Sequence, residues 1–289
     1  MEKLRKRFND AMNEDESDNP DLFLSMVSSI LWGAQRSKPE VLFDVTTLAT
    51  RCKIGSTEDI IDVEQVLKYI NSCKADGIKL KINGNISISV FVDSSGGIDS
   101  ESKAKGGYVI SLGDKGFGGP IESRSYTSKF NGRSMVEYEL FAFHEMLPGP
   151  LFVKELLEEL GFNQLPILVF EDNKALIDLL RRGKISSGVI RHIHSKYYYG
   201  KDLIIRKIIE LRHCPTLLMI ADIFTKDLDF PTFNRLCKRL RNGNDQDPKL
   251  SDEIYQKLYE NSNYEVYLDK DEQKAVEVLS LIIETLLQS

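Results

Sequence analysis

Apolar positions recur at helical spacing through LFLSMVSSILWGAQ (22–35), and Pro39 restarts the chain into a second such stretch, VLFDVTTLATRC (41–52). A third amphipathic stretch, IIDVEQVLKYINSCK (60–74), completes a mainly helical segment over 22–80. Residues 10–21 are polar and acidic, and read with the start of the chain as a disordered lead-in over 1–21. At Lys79 the period drops from near four to two. KLKINGNISISVFVD (79–93) reads as a hairpin around Asn83-Gly84, with Ile86, Ile88, Val90 and Val92 alternating. GGYVISLG (106–113) and GGPIESRSYTSKF (118–130) follow as strands between glycine turns.

Val136, Leu140, Phe143 and Leu147 form one stripe on a helix over 133–147. Pro148 and Pro150 interrupt it, and LFVKELLEELG (151–161) resumes it as far as Gly161. PILVFED (166–172) is short and continuously apolar, as a strand buried on both faces should be. NKALIDLLRRG (173–183) reads as a helix, 190–207 as a basic helix, 208–213 as a strand, and a last helix starts near Met219. The order β-β-β-α-β-α-α-β-α predicts an α/β fold, a mixed sheet flanked by helices, over 81–242. An acidic linker and a helix at 271–287 fill 243–289.

Charge changes this picture locally. The net charge of −6 excludes a chain that coats nucleic acid throughout. Yet Arg181 to His213 holds nine Lys/Arg against two acids, whereas Gly243 to Ser289 holds four Lys against eleven acids. One face for a polyanion and an acidic tail describe the chain better than its total does. Cys52, Cys73, Cys214 and Cys237 are widely spaced without a CxxC pair, which favours reduced thiols over a disulfide frame or zinc site. The basic N-terminus lacks the apolar stretch of a signal peptide, so a cytoplasmic or nuclear location is expected.

Four carboxylates stand out. Asp93 closes an apolar strand before SSGG, Asp172 closes PILVFED, Asp222 opens the last helix in IADIFTK, and Glu139 borders the apolar stripe, about 70° from its centre at ~100° per residue. Converging acids resist ionising together unless cations neutralise them. Two Mg²⁺ about 4 Å apart, with Mn²⁺ as a substitute, would suit phosphodiester hydrolysis at such a cluster. Oxygen ligands without a histidine or cysteine cage point to these ions and away from zinc. Each acid also has a plain structural reading: Asp93 as the start of a β-turn, Asp172 and Asp222 as helix caps, Glu139 as a solvated helix residue.

From about 86 to 240 the sequence resembles the ribonuclease H domain of copia-type LTR-retrotransposon polyproteins. SISVFVDSSGG is similar to that family's strand ending in the first metal-binding aspartate, and KAKGGYVISLGDKGFGGPI to its K-S-x-S-G-Y-V-x-x-L-G segment. SMVEYELFAF resembles S-S-T-E-A-E-Y-x-A, whose second glutamate falls on Glu139. PILVFEDNKALIDLL resembles P-x-x-x-x-x-D-N-x-A-x-x-L and puts the next acid at Asp172, and RHIHSKYYYGKDLI resembles K-H-I-D-I-R-Y-H-F-I-R. IELRHCPTLLMIADIFTKDL resembles I-E-L-x-x-V-P-T-x-x-Q-x-A-D-I-F-T-K-P-L and gives Asp222; this is the most specific match. Residues 22–80 resemble the tail of the same family's reverse transcriptase, whose Tyr-x-Asp-Asp motif is absent.

The resemblance implies a metal-dependent endonuclease that cuts the RNA of an RNA–DNA hybrid, with the polyprotein's reverse transcriptase as a partner. Arg181, Arg182, Lys184, Arg191, Lys196, Lys201, Arg206 and Lys207 are the candidate phosphate contacts, and Tyr197–Tyr199 either stack on substrate or lie partly in the core. Ser95 and Asn173 are candidates for the 2′-hydroxyls. His213 stands as either a proton-transfer aid or a core residue. Departures include His194 for an aspartate, Glu122 for a tryptophan, PTLLM for a polar run, and Pro148 and Pro150. They keep open a domesticated, non-catalytic module that binds nucleic acid or protein. An aspartic-protease loop fits poorly, because VFVDSSGG carries one serine beyond Asp-Ser-Gly.

Overall fold

Alternation decides which face each strand residue serves, and the sheet shows it directly. The computed structural model describes residues 20–53, 55–82, 85–96, 104–113, 117–130, 132–182, 191–241 and 258–259, with the side chains of 182 and 191–194 left aside. Five strands, β1 (Ile88–Ser95), β2 (Lys105–Leu112), β3 (Pro120–Thr127), β4 (Ile167–Glu171) and β5 (Ile209–His213), form one sheet in the order β3-β2-β1-β4-β5. β1 pairs antiparallel with β2 and parallel with β4; β2 and β3 are antiparallel, β4 and β5 parallel. This is the mixed sheet flanked by helices that the order of elements in the sequence predicts.

On one face, Val90, Val92, Ile110, Val169 and Leu211 pack under α4 (Met135–Met146), α6 (Lys174–Arg182) and α7 (Arg191–Ile205). On the other, Phe91, Val109, Leu168 and Phe170 share a core with α1 (Pro20–Ser37), α2 (Leu42–Ala49), α3 (Thr57–Ser72) and α8 (Phe230–Leu240). The N-terminal helices therefore bury their apolar faces against the sheet layer. Polar latches reinforce the contact: Arg241 pairs with buried Glu40, bonds Asp76 at 2.7 Å and reaches the Tyr69 hydroxyl at 3.1 Å. Among the described residues no helix is long and apolar enough to cross a membrane. The cysteines are free thiols.

Three element expectations need correction. The hairpin within 79–93 does not form, because β1 has β2 on one edge and β4 on the other and has no edge left. Residues 79–82 instead run alongside, Lys79 N–H donating to the Arg241 carbonyl and Lys81 N–H to Gly118. The prolines after Met146 leave no gap; Pro148 occupies the first turn of α5 (Pro148–Glu159), where it costs no hydrogen bond. No regular helix starts at Met219. Residues 216–218 and 220–224 form 3₁₀ turns, and α8 begins only at Phe230, with Pro231 in its first turn. The Phe224 and Thr225 carbonyls are held by the Ser125 and Ser95 hydroxyls at 2.7 and 2.6 Å, so neither can continue a helical ladder. Residues 183–190 and 271–287 and the Asn83-Gly84 turn lie outside the described residues.

Candidate metal centre

Asp93 lies inside β1, opposite Gly107 of β2, and is 1% exposed. It neither closes the strand nor starts a turn, since β1 continues to Ser95. Gly107 is needed there: a Cβ would collide with the Cβ of Phe224, which packs across β2 and carries the Asp222 segment to this end of the sheet. Asp172 follows β4 directly and is half-buried, its Oδ2 accepting from the Thr216 hydroxyl at 3.0 Å. It is not the cap of α6. Asn173 takes that role, its Oδ1 accepting from the amides of Ala175 and Leu176 at 3.0 and 3.1 Å.

Glu139 comes from α4, which Ser134 caps by accepting from the Glu137 amide. Only 3% exposed, it is not a solvated helix residue. One carboxylate oxygen each from Asp93, Glu139 and Asp172 lies within 4.8 Å of the other two. Three elements far apart in sequence thus meet at one point. Asp222 stands outside this trio and joins it through Lys226, whose Nζ is 2.7 Å from Asp222 Oδ1 and 3.3 Å from Asp93 Oδ1. The Thr225 hydroxyl also donates to Asp93 Oδ2.

Two residues here were not singled out from sequence. One is Lys226. The other is Glu171, fully buried at the end of β4, one residue before Asp172. Its Oε1 accepts from the Asn173 amide at 3.0 Å, while its Oε2 is buried with no hydrogen-bond partner among the described residues. The sequence held a faint signal for Glu171, an acid inside a run otherwise apolar enough to be buried on both faces.

Crowding of like charges in a dry site governs the electrostatics. Burial raises Asp93 to about 7; Lys226 and Thr225 pull against that, while Asp222 and Asp172 add to it. Glu139 is held well above its ordinary value by burial and then by Asp93, against the lowering influence of the Ser94 hydroxyl. Burial, followed by Glu139, does the same to Glu171. Asp222 is raised by burial and partly restored by Lys226. For Lys226 burial works against the ammonium, but Asp93 and Asp222 outweigh it and hold the charge. His213 is lowered by burial and by Lys174 and leans on the Asp172 main chain. An unpartnered buried carboxylate oxygen beside three clustered acids fits a hard divalent cation such as Mg²⁺ or Mn²⁺.

The expected nucleic-acid contacts fare differently. Ser95 is buried and its hydroxyl is spent on the Thr225 carbonyl, which corrects the expectation that it meets a 2′-hydroxyl. The Arg181 guanidinium donates to the Leu211 carbonyl at 2.7 Å. Lys196 sits over the Phe141 ring, 3.0 Å from His144 Nδ1 and 3.5 Å from Glu145. Tyr197 is wholly buried, whereas Tyr198 and Tyr199 are exposed. Lys184 lies outside the described residues, as do the side chains of Arg182 and Arg191.

No family model matches the chain. The retrovirus-related Pol polyprotein from transposon TNT 1-94 of Nicotiana tabacum is 24% identical over 221 residues, 75% of this chain and 16% of that protein. Its counterpart from transposon RE1 of Arabidopsis thaliana is 22% identical over 206 residues, 71% of this chain and 14% of that protein. The chain is similar to retrotransposon Pol polyproteins. It spans about one sixth of the length of these Pol relatives or less. Among solved structures, RNase H1 of Halobacterium salinarum is 17% identical, with a TM-score of 0.34, covering 48% of this chain and 94% of that one.

Proposed function

We propose that this chain is the ribonuclease H portion of a copia-type retrotransposon Pol polyprotein, cutting the RNA strand of an RNA–DNA hybrid with a divalent metal ion. The supporting observation is the meeting of Asp93, Glu139 and Asp172 within 4.8 Å on an RNase H-like sheet in a relative of Pol polyproteins. These three acids would hold the ion, Mg²⁺ or Mn²⁺. A divalent ion held there supplies concentrated positive charge beside the scissile phosphate and a Lewis acid for the attacking water. The chain's own groups set the geometry. Thr225 and Lys226 fix Asp93, Thr216 fixes Asp172, and the Asn173 amide fixes the buried Glu171. Exposed Lys174, two residues past Asp172, is a cation beside the acids that faces solvent for phosphate contact. The polyprotein's reverse transcriptase is the partner that would deliver hybrid, and the N-terminal helices, packed on the sheet, are the natural side for it to join.

The test is cleavage of a labelled RNA–DNA hybrid in Mg²⁺ by the full chain, beside Asp93→Asn and Asp172→Asn. Wild-type cleavage should fall by ~10²-fold or more in each variant, the scale seen when a group that stabilises transition-state charge is removed. Absence of wild-type cleavage, or cleavage indifferent to both substitutions, would favour a non-catalytic binding module.

A further inference from the structure

We propose that the seam between the N-terminal helices and α8 is a binding site for a linear diammonium ion, with carboxylates for its two ends and aromatic rings along its middle. The site lies apart from the metal-binding acids and does not depend on the nuclease reading.

The seam holds a cleft of two chambers. The outer one, of about 390 Å³, opens between α2 and α3 and is closed by Phe233 of α8, with Asp62 in its wall. The inner one, of about 240 Å³, runs from α2 to the 223–230 segment, with Glu40 and Asp227 in its wall. Phe43, Asp44 and Phe233 line both, so the chambers meet at two rings and a carboxylate. Helical spacing builds this wall: Phe43 and Thr47 stand four apart, as do Asp44 and Leu48, and all four face the cleft. Tyr69 of α3 braces Phe233 edge-on, ring centroids 5.7 Å apart.

Negative charge in the cleft exceeds what its cations cover. Arg51 pairs with Asp59 and Asp62 at 3.2 and 3.1 Å, Arg241 with Glu40 and with Asp76, and the Lys226 ammonium with Asp222 and Asp93. Among the described residues Asp44 and Asp227 form no ion pair. Glu40 is 1% exposed, and its Oε2 has no hydrogen-bond partner among the described residues. Burial raises Asp44 to about 6, and Asp227 and Asp62 add to this against Lys105, a cost that a bound cation would relieve.

The spread of these acids selects the kind of cation. Among the described residues the acids that converge within 4.8 Å are Asp93, Glu139 and Asp172, so no three carboxylates of the cleft come together as ligands of one metal ion do. Rings between separated acids suit an alkyl chain with an ammonium at each end, one at Asp44 and Asp62 and the other at Glu40 and Asp227.

Calorimetric titration of the full chain with the diamines putrescine and cadaverine tests this, with butylamine at equal ionic strength as the control of single charge. A diamine should bind saturably, and butylamine more weakly by on the order of 10-fold or more. Asp44→Asn should weaken the diamine by a similar factor. Phe233→Leu, which keeps an apolar side chain but removes the ring, should weaken it by about 2- to 5-fold. Asp172→Asn should leave it unchanged, because that acid belongs to the other site. Absence of saturable binding in the millimolar range overturns the proposal, as does butylamine binding as tightly as the diamines. So does an affinity that Asp172→Asn lowers and Asp44→Asn does not, which would place the ligand on the metal-binding acids. Should Asp44→Asn not fold, Phe233→Leu and the butylamine comparison decide.

Discussion

The acid end of the sheet and the basic stretch from 181 to 213 are both charged runs in sequence, and the fold treats them in opposite ways. At the acid end, groups from β1, α4 and β4 converge with their charges poorly compensated, leaving the Glu171 Oε2 without a partner. In the basic stretch the cations are dispersed into the fold's own needs: Arg181 on a carbonyl, Lys196 against α4, Lys201 buried, and Arg212 held by Glu210 and the Leu258 carbonyl. Unsatisfied polar groups cost stability, so a fold that keeps them at one place and removes them at another separates a site from a scaffold.

The sharpest way to break that contrast is Glu139→Gln. If the acid end is strained for function, this variant should lose hybrid cleavage while unfolding at a higher urea midpoint than wild type at pH 8 without metal. The pH dependence fixes the sign. Asp93, Glu139 and Glu171 are all raised in the folded state, so their contribution is fully present below the ordinary carboxylate range and lost as pH rises; for Asp93 the loss runs from about 4 to about 7. His144 and His213, lowered in the fold, act in the opposite direction, which is why the variant and not the raw curve is decisive. Metal-free urea unfolding at pH 5 and pH 8 should show the variant's advantage widening with pH. An advantage that stays flat or reverses would mean Glu139 is an ordinary buried group.

Much of this arrangement is legible in the sequence. Alternation along β1 and the unbroken apolar run of β4 marked strands, because burial on one or two faces leaves its own period, and Asp93 and Asp172 stood out against them. What escaped reading depends on long-range contacts. The Asn-Gly turn at 83–84 is a strong local signal, but nothing near it tells that β1 has both edges occupied. The 220–224 turn looked helical because its carbonyl partners, Ser95 and Ser125, lie more than 90 residues upstream. Lys226 read as the end of a motif; only the fold shows it between two acids.

On the scaffold side, Arg181→Ala sharpens the comparison. Losing a charged donor to the Leu211 carbonyl should cost about 1.5–3 kcal/mol of stability. The salt dependence of hybrid binding should stay as it is, since a guanidinium turned onto β5 releases no counterions from a phosphate. A salt slope shallower by about one, with stability intact, would return Arg181 to the substrate face and weaken the division.

The smallest expected effect is at Asn173, which sits on the boundary between the two regions. Its Oδ1 closes the first turn of α6 while its amide holds Glu171, so it serves the scaffold one residue away from the acid site. Asn173→Ala should lower stability by about 1 kcal/mol through the lost cap, and Asn173→Ser, which keeps a capping oxygen, should recover most of it. Cleavage by the folded fraction should persist in both. If Asn173→Ser restores stability yet cleavage remains lost, the side chain is reading the hybrid, and the line between scaffold and site must be drawn one residue further along the chain.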